Sequence, residues 1–238
     1  MKVILNPGHS TTAPGRTGPT GITEREVVEA MARHLATACG QRMIATEIMQ
    51  QPPGDPQEAL RWLAARIADE PYDVDITLSL HCAWAEDPAA YGTRCLYAAG
   101  SNESRLLADA LLRHFPRTAW SAVDSCDDPV LDHAQCPAVI IELDHLSNPE
   151  VEGLMRVESW QRKVAENIVE GIIAFIGPQD IRILVDGAEI YTDPAPQEVY
   201  NDVMVPVRVL GTALGAEVRW DPSRRVIRIA TGGRRHDS

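Results

Sequence analysis

Apolar residues along this chain fall into two alternating patterns. Short runs bounded by turn residues, Val3-Ile4-Leu5, Met43 to Met49, Val74 to Leu80, Thr93 to Ala98 and Ala138 to Leu143, read as strands. Between them apolar positions recur every three or four residues, as in Val27, Val28, Met31, Ala32, Leu35 and Cys39, and again in Leu60, Leu63, Ala64 and Ile67. That spacing lays one apolar stripe along a helix. Helices are also expected over Glu103 to Phe115 and Glu158 to Phe175, the second after a short helix entered through Asn148-Pro149. Two helix starts carry their own signals. Thr23-Glu24-Arg25-Glu26 is a capping box, with Thr23 capping the first turn and Glu26 reaching back to the cap amide. Asp55-Pro56-Gln57-Glu58 puts Asp at the cap and proline at the first helical position. Strands alternating with helices predict an α/β fold, a mostly parallel sheet flanked by helices on both faces, with ligands bound at the carboxyl ends of the strands.

Gly177-Pro178 breaks this pattern. Beyond it a hairpin is expected from Ile181 to Val185 and Ala188 to Tyr191 around Asp186-Gly187, then a short helix from Val205 to Leu214 closed by Gly215. A second hairpin, Glu217 to Trp220 and Arg225 to Ile229, turns at Asp221-Pro222-Ser223. The chain thus divides into residues 1–176, a small α+β unit at 180–231, and a tail at 232–238 that follows Gly232-Gly233 and is expected to be disordered. The small unit carries no converging histidines or buried acids, so no chemistry is assigned to it.

Charge narrows the function. The 238 residues carry a net charge of -12, so no nucleic-acid partner is expected and an anionic membrane would repel the protein. The five cysteines, Cys39, Cys82, Cys95, Cys126 and Cys136, include no two at a short paired spacing. An odd number so placed argues against a disulfide framework and against a cysteine zinc site. No apolar run is long enough to span a bilayer. The first strand begins at once and leaves no room for a secretory signal, so synthesis in the cytoplasm is expected, with export by another route or a missing leader.

Three residues with useful chemistry fall at strand ends. His9 follows Asn6-Pro7-Gly8, His81 ends the third strand, and Glu142 sits in an apolar run where a carboxylate needs a partner. Helical spacing adds a fourth: Glu24 lies three and four residues before Val27 and Val28 and faces the sheet, whereas Glu26 is used by the cap. Each alone is a structural residue. Together they supply three zinc-type ligands and a base. Cys82 projects away from His81 and is a poor co-ligand. His34 and His114 fall on helices as surface residues, His133 and His145 lie near the Glu142 strand, and Trp84 could pack against a sugar or peptide.

Four segments in this order resemble the zinc-dependent N-acetylmuramoyl-L-alanine amidases: Val3 to His9, Gly21-Ile22-Thr23-Glu24, Ser79-Leu80-His81, and Pro137 to Asn148 with the sequence PAVIIELDHLSN. The resemblance implies that His9, Glu24 and His81 hold Zn2+ and that Glu142 is the general base and acid. Ser10, Trp84 and His145 would then touch substrate. It also implies peptidoglycan as the partner, cut at the amide between the lactyl group of N-acetylmuramic acid and L-alanine. The chain departs from the family pattern at Asn6, where Asp is usual, at Ser10 (Gly), at Ala83 (Asn) and at His145 (an aromatic). In the small unit, Val205-Pro206-Val207-Arg208, Leu214-Gly215-Ala216 and Val218-Arg219-Trp220-Asp221 are similar to the stalk-like domain named after the N-terminal region of copper amine oxidases. That likeness implies an accessory or attachment module, with nothing that would bind copper. Two other readings stay open: a non-catalytic peptidoglycan-binding protein that kept the fold, and a zinc peptidase cutting within the stem peptide. The missing leader suits a phage or prophage lysin.

Overall fold

The computed structural model describes residues 1–68, 74–177, 181, 183–190, 192, 196–199 and 202–231. They belong to two compact units, Met1–Gly177 and Pro178–Ser238. The expected tail at 232–238, and Tyr191 at the end of the first small hairpin, lie outside the described residues.

In chain order the larger unit runs β1 (Lys2–Pro7), α1 (Glu24–Gln41), β2 (Ala45–Ile48), α2 (Pro56–Ala68), β3 (Ile76–Ala83), β4 (Arg94–Ala98), α3 (Asn102–Leu112), β5 (Ala122–Cys126), α4 (Pro129–His133), β6 (Ala138–His145), α5 (Pro149–Met155) and α6 (Glu158–Ile176). The strands form one sheet in the order β2-β1-β3-β6-β4-β5. β2, β1, β3 and β6 are mutually parallel, β4 runs antiparallel to β6, and β5 is parallel to β4. The reversal of β4 has a local cause. Residues 84–93, between β3 and β4, contain no helix. With no crossover helix to carry it to the other end, the chain passes the end of β6 and re-enters the sheet from the edge it has just left. β5 and α4 were not expected from the sequence, because an exposed edge strand shows no apolar alternation: Asp124 and Ser125 are both exposed.

Alternation along the strands separates two cores. Val3, Leu5, Leu78, Leu80, Cys82, Val139, Ile141 and Leu143 pack with α1, α3 and α6 through Val27, Met31, Leu35, Leu107, Leu111 and Ile168. Ile4 faces the other way, onto Leu63 and Ile67 of α2 and Val130 of α4, while Ala138 and Ile140 meet Leu131. By the same alternation Asn6, Ser79, His81 and Glu142 share the α2/α4 face, at its carboxyl end. Cys82 stands on the opposite side of the sheet from His81.

Among its described residues the smaller unit holds three two-stranded antiparallel pairs: β7 (Ile183–Val185) with β8 (Ala188–Ile190), β9 (Gln197–Val199) with β10 (Asp202–Met204), and β11 (Ala216–Asp221) with β12 (Val226–Thr231). The β9–β10 hairpin was not anticipated. α7 (Val207–Ala213) lies directly on β11, since a Cβ at Gly211 would come within 2.3 Å of Val218 Cγ2.

One buried amide ties the middle of the large sheet together. Asn6 is fully buried; its Nδ2 donates to the Met49 carbonyl at 2.9 Å, and its Oδ1 accepts from the Ser79 hydroxyl at 2.8 Å. A carboxylate only accepts, so Asn6→Asp would set two acceptors face to face in the interior. That substitution is expected to lower the unfolding free energy by about 2 kcal/mol, seen as a lower urea midpoint at unchanged slope. An unmoved midpoint would show that the amide's donor is not needed.

Candidate metal centre

β1 leaves the sheet through Pro7-Gly8, and the Gly8 N–H donates to the Leu80 carbonyl at 2.9 Å, which keeps the exit beside β3. A Cβ on Gly8 would lie 2.3 Å from His81 Cε1, so the His81 ring occupies the space a side chain would need. His9 follows with a φ of 72°, a left-handed conformation that is strained for a residue with a Cβ. Gln50 Nε2 donates to its carbonyl at 3.0 Å and braces this turn. The His9 and His81 rings then stand edge to face, with centroids 5.1 Å apart.

Glu24 comes from the first turn of α1. Both halves of the capping box are formed, so Glu26 is spent on Thr23, whose N–H donates to Glu26 Oε2 at 2.8 Å. Glu24 turns inward and is only 4% exposed. Its Oε1 accepts from the Cys82 N–H at 2.9 Å and lies 2.9 Å from His9 Nε2 and 3.2 Å from His81 Nδ1. Its Oε2 accepts from the Arg16 N–H at 3.3 Å. Burial alone would raise the Glu24 pKa, but the hydrogen bonds to His81 and the Cys82 amide, together with the His9 ring beside it, outweigh it and hold the carboxyl far below its usual range.

The residues present fit a metal ion. His9 Nε2 is buried and close to Glu24 Oε1, yet makes no hydrogen bond with it. A ring nitrogen this near a carboxylate oxygen, and not aligned with it, shares a focus with it rather than a proton. His9, Glu24 and His81 each bring a ligand atom within 4.8 Å of the other two, and no second such group occurs among the described residues. Two imidazoles and a carboxylate suit zinc with one coordination position left open. Gly15, at φ 76°, closes the cradle: a Cβ there would lie 2.6 Å from His9 Nε2 and 2.7 Å from Glu24 Oε2.

Glu142 is brought alongside by strand pairing. It is the register partner of His81, so both side chains leave the same face one strand spacing apart, about 4.8 Å. Because β4 is reversed, its first residue, Arg94, pairs with Glu142 at the same end of the sheet. Arg94 Nη1 donates to Glu142 Oε2 at 3.0 Å, and Nη2 donates to Asp124 Oδ2 at 3.2 Å. Sequence reading missed Arg94. The signal was available, since a carboxylate in an apolar run needs a cation and Arg94 is the one basic residue between Thr93 and Ala98. The other acid of β6, Asp144, is committed elsewhere: its Oδ1 accepts from the Gly92 and His145 amides at 2.7 and 2.8 Å.

The remaining expected residues lie outside the three-residue cluster. Ser10 is buried, and its hydroxyl accepts from the Ala13 N–H and meets Thr12 Oγ1, both at 3.3 Å, so it serves its own loop. Trp84 is 42% exposed at the rim beyond β3, with the Arg16 guanidinium 5.4 Å above its ring. His145 is buried, packs edge-on against Trp120 and lies outside the three-residue cluster. His133 Nδ1 contacts the Pro129 carbonyl within α4, and His114 falls beyond the end of α3 rather than on it. The thiols are held protonated at neutral pH: burial pushes Cys39 and Cys95 up to about 12 and raises Cys82 as well.

A second missed residue secures the loop that bears Gly15 and Arg16. Glu152 of α5 is fully buried; it accepts from the Thr20 N–H at 3.0 and 2.8 Å and from the Ile22 N–H at 3.3 Å. Burial opposes its ionisation, but these donors and Arg156 lower its pKa.

Comparison with known proteins follows this geometry. A family model described as N-acetylmuramoyl-L-alanine amidase matches residues 3–174, and one described as copper amine oxidase N-terminal domain matches residues 184–236. The N-acetylmuramoyl-L-alanine amidase AmiC of Neisseria meningitidis is 23% identical over 225 residues, covering 73% of this chain and 52% of AmiC. The chain thus spans about half the length of that relative. Among solved structures, the CwlD amidase of Clostridioides difficile, solved with the GerS lipoprotein, aligns with a TM-score of 0.66 at 21% identity, covering 74% of this chain and 98% of that one. The catalytic domain of an endolysin targeting Clostridia difficile aligns with a TM-score of 0.61 at 21% identity, covering 72% and 96%. At these identities the structural likeness is one of fold.

Two outcomes test the site as built. Gly15→Ala and His9→Ala should each fail to retain stoichiometric zinc after reconstitution and desalting, by elemental analysis, while circular dichroism stays that of the parent; full zinc retention by either would dissolve the proposed cradle. Glu152, with a lowered folded pKa, contributes stability that is present above its ordinary value of 4.5 and is lost as pH falls through the folded value. The stability gap between the parent and Glu152→Gln should therefore narrow across that acid window, whereas a constant gap would mean that the charge plays no part.

Proposed function

The chain belongs to the N-acetylmuramoyl-L-alanine amidase family, and from that premise we propose that residues 1–176 hydrolyse the amide between the lactyl group of N-acetylmuramic acid and L-alanine in peptidoglycan. The observation that carries this reading is the convergence of His9, Glu24 and His81 with Glu142 in register beside them. His9, Glu24 and His81 would hold a zinc ion, which when bound supplies Lewis-acid polarisation of the scissile carbonyl and lowers the pKa of a water in its open position.

The chain's own groups do the rest. Arg94 holds Glu142 Oε2, which orients the carboxylate and leaves its other oxygen to take the proton of the attacking water. Glu142 then returns that proton to the leaving amine, which cannot depart as an anion. Asp144, whose Oδ1 accepts from the Gly92 and His145 amides, is not the register partner of any of the three clustered residues. Gly8 and Gly15 keep the ligand atoms bare of intervening side chains. The stem peptide would pass the Arg16–Trp84 pair at the rim, where a cation stacked on an aromatic ring can receive a carboxylate.

Glu142→Ala should retain zinc and lose roughly 10²- to 10⁴-fold in amide release from purified peptidoglycan. Parent-like activity in that variant would overturn the assignment of the base. Mass spectrometry fixes the bond: intact sugar strands bearing free lactyl carboxylates support an amidase, and fragments cut within the stem indicate a peptidase. Arg94→Ala should lower kcat while leaving KM and zinc content near the parent values, with partial recovery in Arg94→Lys.

A further inference from the structure

The smaller unit carries a groove unlike the rest of the chain. Pro206, Val207 and Arg208 at the start of α7 form one wall, and Val218, Trp220 and Ile227 of the β11–β12 hairpin form the other, around a cavity of about 380 Å³. Strand register puts the two hairpin groups on one face, since Trp220 pairs with Ile227 and Val218 with Ile229. Trp220 and Ile227 remain 48% and 50% exposed, an unusual outlay of apolar surface for so small a unit. The charge is equally distinctive. Residues 205–231 contain Arg208, Arg219, Arg224, Arg225 and Arg228 against only Glu217 and Asp221, in a chain whose net charge is -12. Arg219 is paired with Glu217. The Arg208 guanidinium has no hydrogen-bond or ion-pair partner among the described residues.

We propose that this groove binds a glycan strand that carries carboxylates on its sugars, namely the peptide-free strand left by amide cleavage. The inference rests on the amidase reading above for the identity of the ligand. A sugar ring presents a face of C–H groups that packs on an indole, and Trp220 with Ile227 and Val218 supplies that floor. Before cleavage the lactyl group is a neutral amide; afterwards it is a carboxylate, the group a free guanidinium recognises with paired hydrogen bonds. Arg208, on the groove wall, can therefore pair with the lactyl group of the product and not with that of the substrate. Of these arginines only Arg208 lines the groove, since Arg219 and Arg228 pair on the opposite face of the hairpin, and its charge favours an anion there. The unit would hold the enzyme on wall it has already stripped, rather than on the intact polymer.

The test uses the full chain, stripped of metal with a chelator so that nothing is cut, titrated calorimetrically with peptide-free glycan strands. Trp220→Ala and Arg208→Glu should each weaken binding by roughly ten-fold or more, Trp220→Phe should retain it, and amidating the lactyl carboxylates should weaken it as Arg208→Glu does. Arg208 is exposed, so its variant reports on binding rather than folding. Equal binding to amidated strands, tighter binding to strands with intact stems, or undiminished binding by Arg208→Glu would overturn the proposal. So would a Trp220→Ala variant that binds normally but changes from dimer to monomer, because the groove would then join two copies. No catalysis enters this assay, so a chain that binds the strand yet releases no amide would remove the amidase reading without touching the groove.

Discussion

Glu24 Oε1 is hydrogen-bonded to one imidazole at 3.2 Å while a second imidazole nitrogen, shielded from water, lies 2.9 Å away without a hydrogen bond, and the backbone has to hold that arrangement in place. Much of the larger unit serves that restraint. Gly8 yields its side-chain space to the His81 ring, and Gly15 yields its own to His9 and Glu24. His9 is kept in a strained conformation, with its carbonyl held by Gln50 from the end of β2. The capping box fixes where α1 begins, so that Glu24 and not Glu26 is the acid that turns inward. Glu152 then holds the intervening loop down from α5. Strain of about 1–3 kcal/mol at one residue persists only where its surroundings over-determine it, and His9 is surrounded in that way.

The other half of the site depends on β4 running antiparallel to β6. Had the two been parallel, the amino end of β4 would lie at the far end of the sheet. Antiparallel pairing with β6 instead sets Arg94 level with Glu142. This end of the sheet is crowded with acids, since Glu24, Glu142, Asp124 and Asp144 all approach it. Arg94 bridges two of them, and backbone amides take up a third.

These features differ in how far they can be read from the chain alone. His9 and His81 are legible because position near a strand end is a local property, Glu142 because a carboxylate in an apolar run is one too, and Glu24 is separated from Glu26 by spacing within a single turn. Strand direction is not local: the pattern that marks Thr93 to Ala98 as a strand is the same whichever way it runs, so the sequence offers Arg94 as a cation but not its position level with Glu142. Arg94 and Glu142 lie 48 residues apart, Gln50 and His9 41, and Glu152 and Thr20 132. Such pairings are set by tertiary closure. β5 and α4 escaped for a different reason, as an edge strand with exposed Asp124 and Ser125 and a helix of only five residues carry too little apolar periodicity to register.

Two buried imidazole nitrogens in the larger unit lack a hydrogen bond, His9 Nε2 and His145 Nδ1, and they mean different things. An unsatisfied buried polar atom costs about 1–3 kcal/mol, so each calls for a cause. His9 Nε2 points among a carboxylate and a second imidazole, where a single cation would satisfy all three at once. His145 Nδ1 has only Asp144 Oδ1 at 3.7 Å, an oxygen already accepting two amides, and its ring packs on Trp120. Nothing converges there. Its register partner is Ala83, whose side chain can offer no hydrogen bond. Neither residue bonds to the side chains of His9, Glu24 or His81, so the packing they set lies beside the cluster and not within it.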